Sequence, residues 1–378
     1  MDEKKKLFIV TGELSGDKHA SLVAKELLSQ RNDLQIEAVG GENLKNVGVK
    51  LFVDHSKAHM SAMGLTPKIL WEHLTLGKRL VDYLKNDYKP DLVLLIDYGG
   101  FNLNISKFLK KAGIKVFYYI PPQIWASRKW RINTVKKNID KVMTIFPFEK
   151  SMYEEEGIDA HFVGHPLISQ MPEKSNRDEV FEKYGLDKNK KLISIFPGSR
   201  VFEIQNLMKN FIDAAKIIEK EKKDVQFLIA QADSLKDKTF KQYLGDCSIK
   251  VVKNDNYSLL STSDALMLAS GTVALEASLY STPMIISYRG PWIAFYIYKL
   301  VRCIKRVCLP NIIMDKDIVP ELLQADSNSK TIADNLLKIL NDDSYRQNMI
   351  NDLSKVREIL SKHESAKEVA QIISQELS

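Results

Sequence analysis

Short, almost uninterrupted apolar runs recur along this chain, and each is followed by small or polar residues and then by a helical segment. Leu7–Val10, Leu92–Ile96, Leu192–Phe196 and Ala265–Ala269 are runs of this kind. Because they lack the polar alternation of a half-exposed strand, they indicate strands that are buried on both faces of a parallel sheet. The pattern therefore predicts an α/β fold with doubly wound sheets.

The alternation of strands and helices occurs in two series, and a chain of 378 residues exceeds the usual size of a single core. We predict a Rossmann-like domain over 1–170, a polar linker over 171–190 and a second Rossmann-like domain over 191–345. The remaining residues, 346–378, are predicted to form helices, for which packing against the first domain is one arrangement.

Charge and hydropathy limit the partners and surroundings of the chain. The net charge of +7 suits phosphorylated substrates, anionic lipid or nucleic acid. No apolar run approaches the roughly 20 residues that span a bilayer, so a membrane role would be peripheral. The 3 cysteines lack metal-ligand spacing, and no signal peptide precedes the first strand, which together predict a reducing cytoplasmic location.

The turn that follows Ala265–Ala269 has the features of an anion site. Ser270, Gly271 and Thr272 precede a helix, and free N–H groups at a helix start attract phosphate. Glu276 shares a helix face with Thr272, which places a carboxylate where it can hold a ribose or sugar diol. The pattern suits a nucleotide diphosphate sugar, and a capped helix with a surface glutamate is the alternative.

A second phosphate signal follows the first strand of the same domain. Gly198 and Ser199 are predicted to present N–H groups, and Arg200 supplies a cation for bidentate phosphate binding. Glu203 begins the next helix, and Asn311 supplies an amide near the presumed site. These residue types predict that the second domain binds a phosphorylated ligand.

In the first domain, the loop before the first helix contains polar candidates. Gly12 and Gly16 do not form the dinucleotide fingerprint GxGxxG, so we interpret the loop as a substrate loop. Its candidate ligands are Glu13, Ser15 and Asp17, with helix capping as the alternative for the last two.

Asp97 directly follows Leu92–Ile96, at the strand end where ligands collect in open α/β sheets. A carboxylate in that position can take a proton from an attacking hydroxyl. Capping of the next turn is the alternative.

One helical segment has apolar residues over more than one stripe, and they include Ile69, Leu70, Trp71 and Leu74. A broad apolar surface with a tryptophan and nearby cations suits a helix that lies on a bilayer, whereas packing on the protein's own sheet is the alternative. The apolar segment 291–301, which is followed by basic residues, is a second interfacial candidate.

Several motifs in chain order resemble those of the lipid-A-disaccharide synthase family. They are Thr11–Asp17, Ile96–Asp97 with Phe101–Asn102, Trp125 with Arg128, Phe146–Glu149, Val163–Pro166, Pro197–Arg200 with Glu203, Ser270–Thr272 with Leu275–Glu276, and Leu309–Asn311. The resemblance covers essentially the whole chain. Two positions depart from the family pattern, because Gly99 stands where a proline is usual and Ser127 where a second aromatic residue is frequent.

The resemblance implies the GT-B glycosyltransferase architecture, in which two Rossmann-like domains face a cleft. It also implies transfer of 2,3-diacylglucosamine from its UDP derivative to the 6-hydroxyl of 2,3-diacylglucosamine 1-phosphate. The products would be UDP and a β-1,6-linked disaccharide of lipid A, a lipopolysaccharide component. Because the donor sugar is α-linked, this reaction inverts the anomeric carbon in one displacement.

Residue roles follow from the same resemblance. Asp97 is the implied base, Arg200 and the N–H groups near Gly271 and Thr272 stabilise the diphosphate, and Glu276 binds the ribose. The other residues implied to contact the UDP-sugar are Gly198, Ser199, Glu203, Ser270 and Asn311. Those implied to contact the acceptor or the donor sugar are Gly12, Glu13, Ser15, Gly16, Asp17, Trp125 and Arg128.

No metal or other cofactor and no nucleic acid partner is implied. Both substrates carry acyl chains, so the resemblance implies peripheral association with the inner face of the inner membrane through the segments 60–84 and 291–301, with contacts at Ile69, Leu70, Trp71 and Leu74. The oligomeric state stays open.

Two other kinds of function fit part of the pattern. One is a GT-B enzyme that acts on UDP-N-acetylglucosamine, either a 2-epimerase or a transferase to lipid-linked muramyl peptide. An epimerase would not need a broad apolar surface in its first domain. The other is a non-catalytic protein that binds a nucleotide sugar or anionic lipid, and such a protein would not need Asp97, Arg200 and Glu276 together.

Overall fold

The computed structural model describes residues 4–55, 67–126, 129–244, 247, 249–291 and 305–378, without the side chains of 67–70, 238 and 241. The chain divides into two compact units, of which the first contains Met1–Ser169 with Leu360–Ser378 and the second contains Gln170–Ile359. Each unit is built on one parallel sheet, which confirms the predicted α/β class with two parallel-sheet domains.

The sheet of the first unit has the strand order β3-β2-β1-β4-β5-β6-β7. Its strands are β1 (Lys5–Val10), β2 (Leu34–Gly40), β3 (Lys50–Asp54), β4 (Leu92–Ile96), β5 (Val116–Tyr119), β6 (Lys141–Thr144) and β7 (Ala160–Phe162). Its helices up to β7 are α1 (Leu14–Gln30), α2 (Glu42–Asn46), α3 (Pro67–Tyr83), which continues into a π-helical turn at Leu84–Tyr88, α4 (Gly99–Lys111), α5 (Ile132–Asn138) and α6 (Pro147–Glu155). Every residue of β4 is buried, as its apolar run predicts.

The sheet of the second unit has the order β10-β9-β8-β11-β12-β13. Its strands are β8 (Lys191–Phe196), β9 (Val225–Gln231), β10 (Lys250–Lys253), β11 (Ala265–Ala269), β12 (Met284–Tyr288) and β13 (Glu321–Leu323). Its helices are α7 (Arg177–Tyr184), α8 (Val201–Glu221), α9 (Lys238–Leu244), α10 (Asn256–Thr262), α11 (Val273–Leu279), α12 (Leu309–Ile313), α13 (Ser329–Asn341) and α14 (Asp343–Leu360). The apolar run of β11 is buried throughout.

The segment 171–190, which the sequence indicates as a linker, is instead part of the second unit. It contains α7, whose Val180 and Phe181 are buried. Arg177 donates a hydrogen bond to the Asp264 carboxylate at 2.7 Å. A short helix with two buried apolar side chains and an ion pair is packed structure, so the linker interpretation is wrong for these residues.

The C-terminal residues 346–378 are divided between the two units. Residues up to Ile359 belong to the second unit, whereas Leu360–Ser378 belong to the first. The last helix, α15 (Ser365–Glu376), packs against α1. The Tyr119 hydroxyl and the Ser365 Oγ lie 2.7 Å apart, and Arg31 donates to the Ser374 carbonyl at 3.1 Å. The end of the chain therefore completes the first unit.

Among the helices that the structure describes, none combines the length and the apolar character that a bilayer-spanning helix requires.

Candidate active site

In each sheet, several of the predicted site residues follow the strands at which the strand order reverses. In the first unit β1 has β2 on one side and β4 on the other, and in the second β8 lies between β9 and β11. Neighbouring parallel strands end at the same edge, and ligands of doubly wound sheets bind at such switch points. The loops after β1 and β4, and after β8 and β11, are therefore the candidate binding loops of their units.

The turn after β4 is strained at two successive residues. Asp97 and Tyr98 have φ values of 50° and 49°, in the left-handed region. Non-glycine residues pay roughly 1–2 kcal/mol each for that conformation. The Asn102 Nδ2 at 2.8 Å and the Tyr118 hydroxyl at 2.7 Å both donate to the Asp97 carbonyl oxygen and hold the turn. Strain of this kind concentrates at functional sites.

Burial raises the pKa of the Asp97 carboxyl above its ordinary value, although the N–H of Tyr98 opposes the rise by donating to the carboxylate. Loss of solvation also raises the pKa of Glu13, and the negative charge of Asp97 raises it further. A carboxylate with a raised pKa at a switch point is a stronger proton acceptor than an exposed one. Asp97 is therefore the candidate for a general base in this unit.

The loop after β1 packs closely against the Asp97 turn. A Cβ added at Gly12 would lie 2.4 Å from the Tyr98 ring, and one added at Gly16 would lie 2.3 Å from the Thr11 Oγ1. A side chain at Gly12 would therefore clash with the Tyr98 ring, and one at Gly16 would clash with the Thr11 hydroxyl. Ser15 is exposed, whereas the Thr11 hydroxyl is buried without a hydrogen-bond partner.

Asp17 does not have the ligand role that we predicted for it. Its side chain is fully buried and accepts hydrogen bonds from the N–H groups of Gly41 at 2.7 Å and Asn43 at 2.9 Å. The Asn43 Nδ2 adds a third bond at 2.8 Å. The carboxylate caps the start of α2, so its acceptor sites are occupied by the protein.

Trp125 is a buried part of the first unit, with 8% of its surface exposed. Its indole N–H donates to the Glu149 Oε1 at 2.8 Å, and its ring meets Phe148 edge to face at 5.1 Å. Burial raises the pKa of Glu149 to about 7. The sequence shows the motif Phe146–Glu149, but it does not predict the hydrogen bond between Glu149 and Trp125. Arg128 and Ser127 lie outside the described residues.

In the second unit, Glu203 occupies one of the two N–H groups that we predicted for phosphate, that of Ser199. Its Oε2 accepts from the N–H of Ser199 at 2.8 Å and of Arg200 at 3.2 Å. Gly198 has a φ of 111°, and a Cβ there would lie 2.2 Å from the same oxygen. Glu203 is therefore a cap of α8, and the prediction that Ser199 offers an open N–H group is wrong.

The guanidinium of Arg200 remains accessible at the same turn. Its side chain is 68% exposed, and its Nη1 lies 3.3 Å from the Glu203 Oε1. An arginine that is held loosely by one carboxylate oxygen keeps donors for an anion. Arg200 is therefore the group of this turn that fits phosphate.

The turn after β11 is open at its tip. Gly271 and Thr272 are exposed, and a Cβ at Gly271 would meet no protein atom within 4 Å. The N–H of Ser270 donates to the Ser287 carbonyl at 3.1 Å, which ties the turn to β12. Glu276 lies one helical turn further, where burial raises its pKa. This arrangement leaves room for a ligand above the helix start, with a carboxylate nearby.

Asn311 is a structural residue in this unit. Its side chain is fully buried, and its Oδ1 accepts from the N–H of Ile318 at 2.9 Å and of Val319 at 3.0 Å. Its Nδ2 donates to the Val319 carbonyl and to the Glu321 carboxylate, both at 2.9 Å. The donors and acceptors of its side chain are used within the protein, so this amide is not available to a ligand in the structure, and the predicted position near the phosphates stays a prediction.

Helix α3 has two different faces. Leu76 and Leu80 are buried, whereas Trp71 is 67% and Leu74 is 65% exposed. Packing on the sheet and an exposed apolar face, which were alternatives at the level of sequence, both occur on one helix. The side chains of Ile69 and Leu70 lie outside the described part of the chain, as does most of 291–301.

Comparison with known proteins gives a consistent picture. Residues 7–376 match the family described as lipid-A-disaccharide synthetase. The chain is 35% identical over 372 residues to a lipid-A-disaccharide synthase of Coxiella burnetii (strain CbuG_Q212), with 98% of both chains covered. It is 35% identical over 361 residues to that of Syntrophus aciditrophicus (strain SB), with 94% of both covered.

Solved structures resemble the chain in fold. Acinetobacter baumannii MurG has a TM-score of 0.61 at 15% identity, with 98% of this chain and 99% of that chain covered. The Neisseria meningitidis UDP-GlcNAc 2-epimerase bound to UDP-GlcNAc has a TM-score of 0.60 at 14% identity, with 99% of both chains covered. At such identities the likeness establishes the GT-B type of fold.

Proposed function

The chain belongs to the lipid-A-disaccharide synthetase family and is a glycosyltransferase of lipid A disaccharide synthesis, and from this premise we propose its substrates, its stereochemistry and the roles of its residues. The donor is UDP-2,3-diacylglucosamine and the acceptor is 2,3-diacylglucosamine 1-phosphate. The products are UDP and a β-1,6-linked disaccharide 1-phosphate. The observation that supports the proposal most is that Asp97 and Arg200 each follow a strand at the switch point of their own sheet.

The first unit supplies the base in this proposal. The 6-hydroxyl of the acceptor transfers its proton to the Asp97 carboxylate while its oxygen forms a bond to the anomeric carbon of the donor. The bond from that carbon to the UDP oxygen breaks in the same step, which inverts the configuration. Burial and strain at Asp97 support this role because they give a held carboxylate with a raised pKa.

The second unit binds the donor. The Arg200 guanidinium stabilises the charge that develops on the departing diphosphate, together with N–H groups of Gly271 and Thr272. Glu276 accepts hydrogen bonds from the ribose hydroxyls. The exposure of Arg200 and the open space above Gly271 support these assignments. We further propose that these groups provide the charge stabilisation without a bound metal.

Purified protein with the two acylated substrates tests the proposal. We expect UDP release that requires the acylated acceptor, a β-linked disaccharide by NMR, and the same rate with EDTA present. Release of UDP without the acceptor would contradict the transfer, an α-linked product would contradict inversion, and loss of activity in EDTA that magnesium restores would contradict metal independence.

Membrane association is also part of the proposal, at the inner face of the inner membrane. Trp71 and Leu74 leave an apolar surface in water, and Lys78 and Arg79 are exposed on the same helix. Apolar side chains that insert between headgroups, with cations next to them, bind an anionic bilayer surface. Such binding would bring the enzyme to substrates whose acyl chains lie in the membrane.

Replacing both Trp71 and Leu74 with serine is expected to lower binding to vesicles of anionic phospholipid at least tenfold. Burial of a large apolar side chain contributes about 1.5–3 kcal/mol, and even partial insertion of two exceeds the 1.4 kcal/mol that corresponds to a factor of ten. Vesicle sedimentation measures the change. Phe202→Ser, which removes an exposed apolar side chain of the second unit, is the control and should bind like the unaltered protein. Equal binding by the Trp71 and Leu74 double variant would contradict this surface.

A further inference from the structure

Tyr98, the residue after the candidate base, has a side chain that joins three parts of the first unit. Its ring lies against the backbone of Gly12, where a Cβ would approach it to 2.4 Å. It also lies 5.9 Å from the His73 ring on α3, at an interplanar angle of 29°, and 5.8 Å from the Phe101 ring on α4. The Tyr98 side chain therefore connects the loop after β1, helix α3 and helix α4 at the candidate active site.

The Tyr98 hydroxyl forms a hydrogen bond with the Nε2 of His73. Tyr98 and His73 are 25 positions apart in sequence, and the bond crosses from the turn after β4 to helix α3. His73 lies on the side of α3 away from the exposed Trp71 and Leu74, since it contacts Tyr98 and Phe101. Leu76 and Leu80 of this helix are buried in the core cluster that also contains strand residues, so α3 provides a fixed anchor for this bond.

The strained turn needs support at both of its residues. Asn102 and Tyr118 donate to the carbonyl oxygen of Asp97 and so hold the main chain between Asp97 and Tyr98. The N–H of Asn102 also donates to the Tyr98 carbonyl oxygen at 3.1 Å, and the ring contacts and the His73 bond of Tyr98 add side-chain support at this second residue with a positive φ. The N–H of Tyr98 donates to the Asp97 carboxylate. If the Tyr98 side chain were released, a shift of this N–H would displace the carboxylate from its position. Displacement of a reacting group by about 1 Å can lower a rate about a hundredfold.

We propose that Tyr98 and His73 form a positioning pair that fixes the Asp97 carboxylate for proton transfer, an inference that depends on the proposed role of Asp97 as the base. Neither residue takes part in the chemical step. The pair holds the left-handed turn through the hydrogen bond to α3 and the contact of the ring with Gly12. Helix α3 thereby becomes part of the framework of the active site.

Tyr98→Phe removes the hydroxyl and keeps the ring, so it tests the bond alone. We expect kcat to fall about tenfold to a hundredfold, as for a displaced reacting group, while KM for both substrates stays within about threefold. His73→Ala should give the same pattern, and the double variant should be no slower than the slower single variant, because both changes break one bond. His73→Gln, whose amide can bond to the hydroxyl, should recover most of the rate.

Tyr83→Phe is a matched control. Tyr83 is the last residue of α3, and its hydroxyl donates to the Glu37 Oε2 at 2.7 Å. Tyr98→Phe and Tyr83→Phe each remove one hydrogen bond of a tyrosine hydroxyl in the first unit. Only the bond of Tyr98 lies beside the proposed base. We expect Tyr83→Phe to keep kcat, and equal thermal unfolding midpoints of the two variants would exclude a loss through misfolding. If Tyr98→Phe does not fold, His73→Ala and His73→Gln make the same comparison.

The outcomes separate this inference from the function on which it rests. A Tyr98→Phe variant with unchanged kcat, in a protein that Asp97→Asn inactivates, would overturn the positioning pair and leave the base in place. A raised KM with unchanged kcat would also overturn it, because the hydroxyl would then contact substrate. Full activity of Asp97→Asn would instead overturn the proposed base itself.

Discussion

Replacing Asp97 with asparagine is expected to lower kcat for disaccharide formation by about a thousandfold, within the range of 10²–10⁴ for loss of a general base. The amide has the shape of the carboxylate but accepts no proton at neutral pH. Asparagine also tolerates the left-handed conformation that Asp97 adopts, at a φ of 50°. The fold of the turn should therefore survive the change, and the loss of rate reports the chemistry. Release of UDP under saturating substrates measures kcat.

The control for this variant is Asp91→Asn. Asp91 lies just before β4, at the opposite end from Asp97, and its Oδ2 accepts from the N–H of Lys6 at 2.7 Å. The Asp91→Asn substitution removes a carboxylate charge at the far end of the same strand, so the activity should be unchanged. Transfer by Asp97→Asn at the rate of the unaltered enzyme would show that another group takes the proton.

The pH dependence provides a second measurement of the same residue. A base must be deprotonated to act, so kcat/KM should fall as the pH decreases through the pKa of Asp97. Because burial raises that pKa, the fall should begin at a higher pH than for an ordinary aspartate. Residual activity of Asp97→Asn should lack this acidic limb, and an identical limb in the variant would assign it to a different group.

Replacing Arg200 with alanine is expected to lower kcat by about 10²–10³-fold, the typical loss when one donor to a developing negative charge is removed. Glu203 occupies the N–H groups of Ser199 and Arg200. Because these two N–H groups are occupied, we expect the guanidinium to respond to charge on the diphosphate. Release of UDP again measures the rate, and Arg200→Lys should be intermediate because it keeps the charge but not the bidentate geometry.

Lys209→Ala is the control for Arg200. Lys209 is an exposed cation of the same helix α8, paired with Asp213 at 2.6 Å. Its removal changes the net charge equally and should leave kcat unchanged. If Arg200→Ala kept the full rate while its fold was intact by circular dichroism, the charge of the leaving group would have to be stabilised elsewhere.

Most of the strands and helices could be predicted because the sequence pattern that indicates each of them lies within a few neighbouring residues. The runs at β4 and β11 are buried throughout in the structure, as expected of strands that lack polar alternation. The order of the strands could not be obtained in this way. That β4 lies beside β1, and β11 beside β8, depends on packing between segments that are distant in sequence.

The sequence proposes candidate site residues but does not show which of their polar groups stay available, for a related reason. Asp97 and Arg200 can be proposed from the sequence because a carboxylate or an arginine at a strand end is suited to proton transfer or to phosphate binding. Asp17 and Asn311 have equally suitable side chains, but their hydrogen bonds go to the protein itself. Neighbouring residues cannot reveal this, since the Gly41 partner of Asp17 lies 24 positions away.

The sequence by itself determined the α/β class, the two series of buried strands and the chemical types at the strand ends, because apolar periodicity and turn composition act over a few residues. Only the tertiary structure decided which polar groups remain available. It satisfied Asp17 and Asn311, used Glu203 as a cap, left the Arg200 guanidinium exposed and held Tyr98 against His73. The physical reason is that a buried donor or acceptor forms its hydrogen bond with whichever partner the fold brings near, and that partner is often remote in sequence.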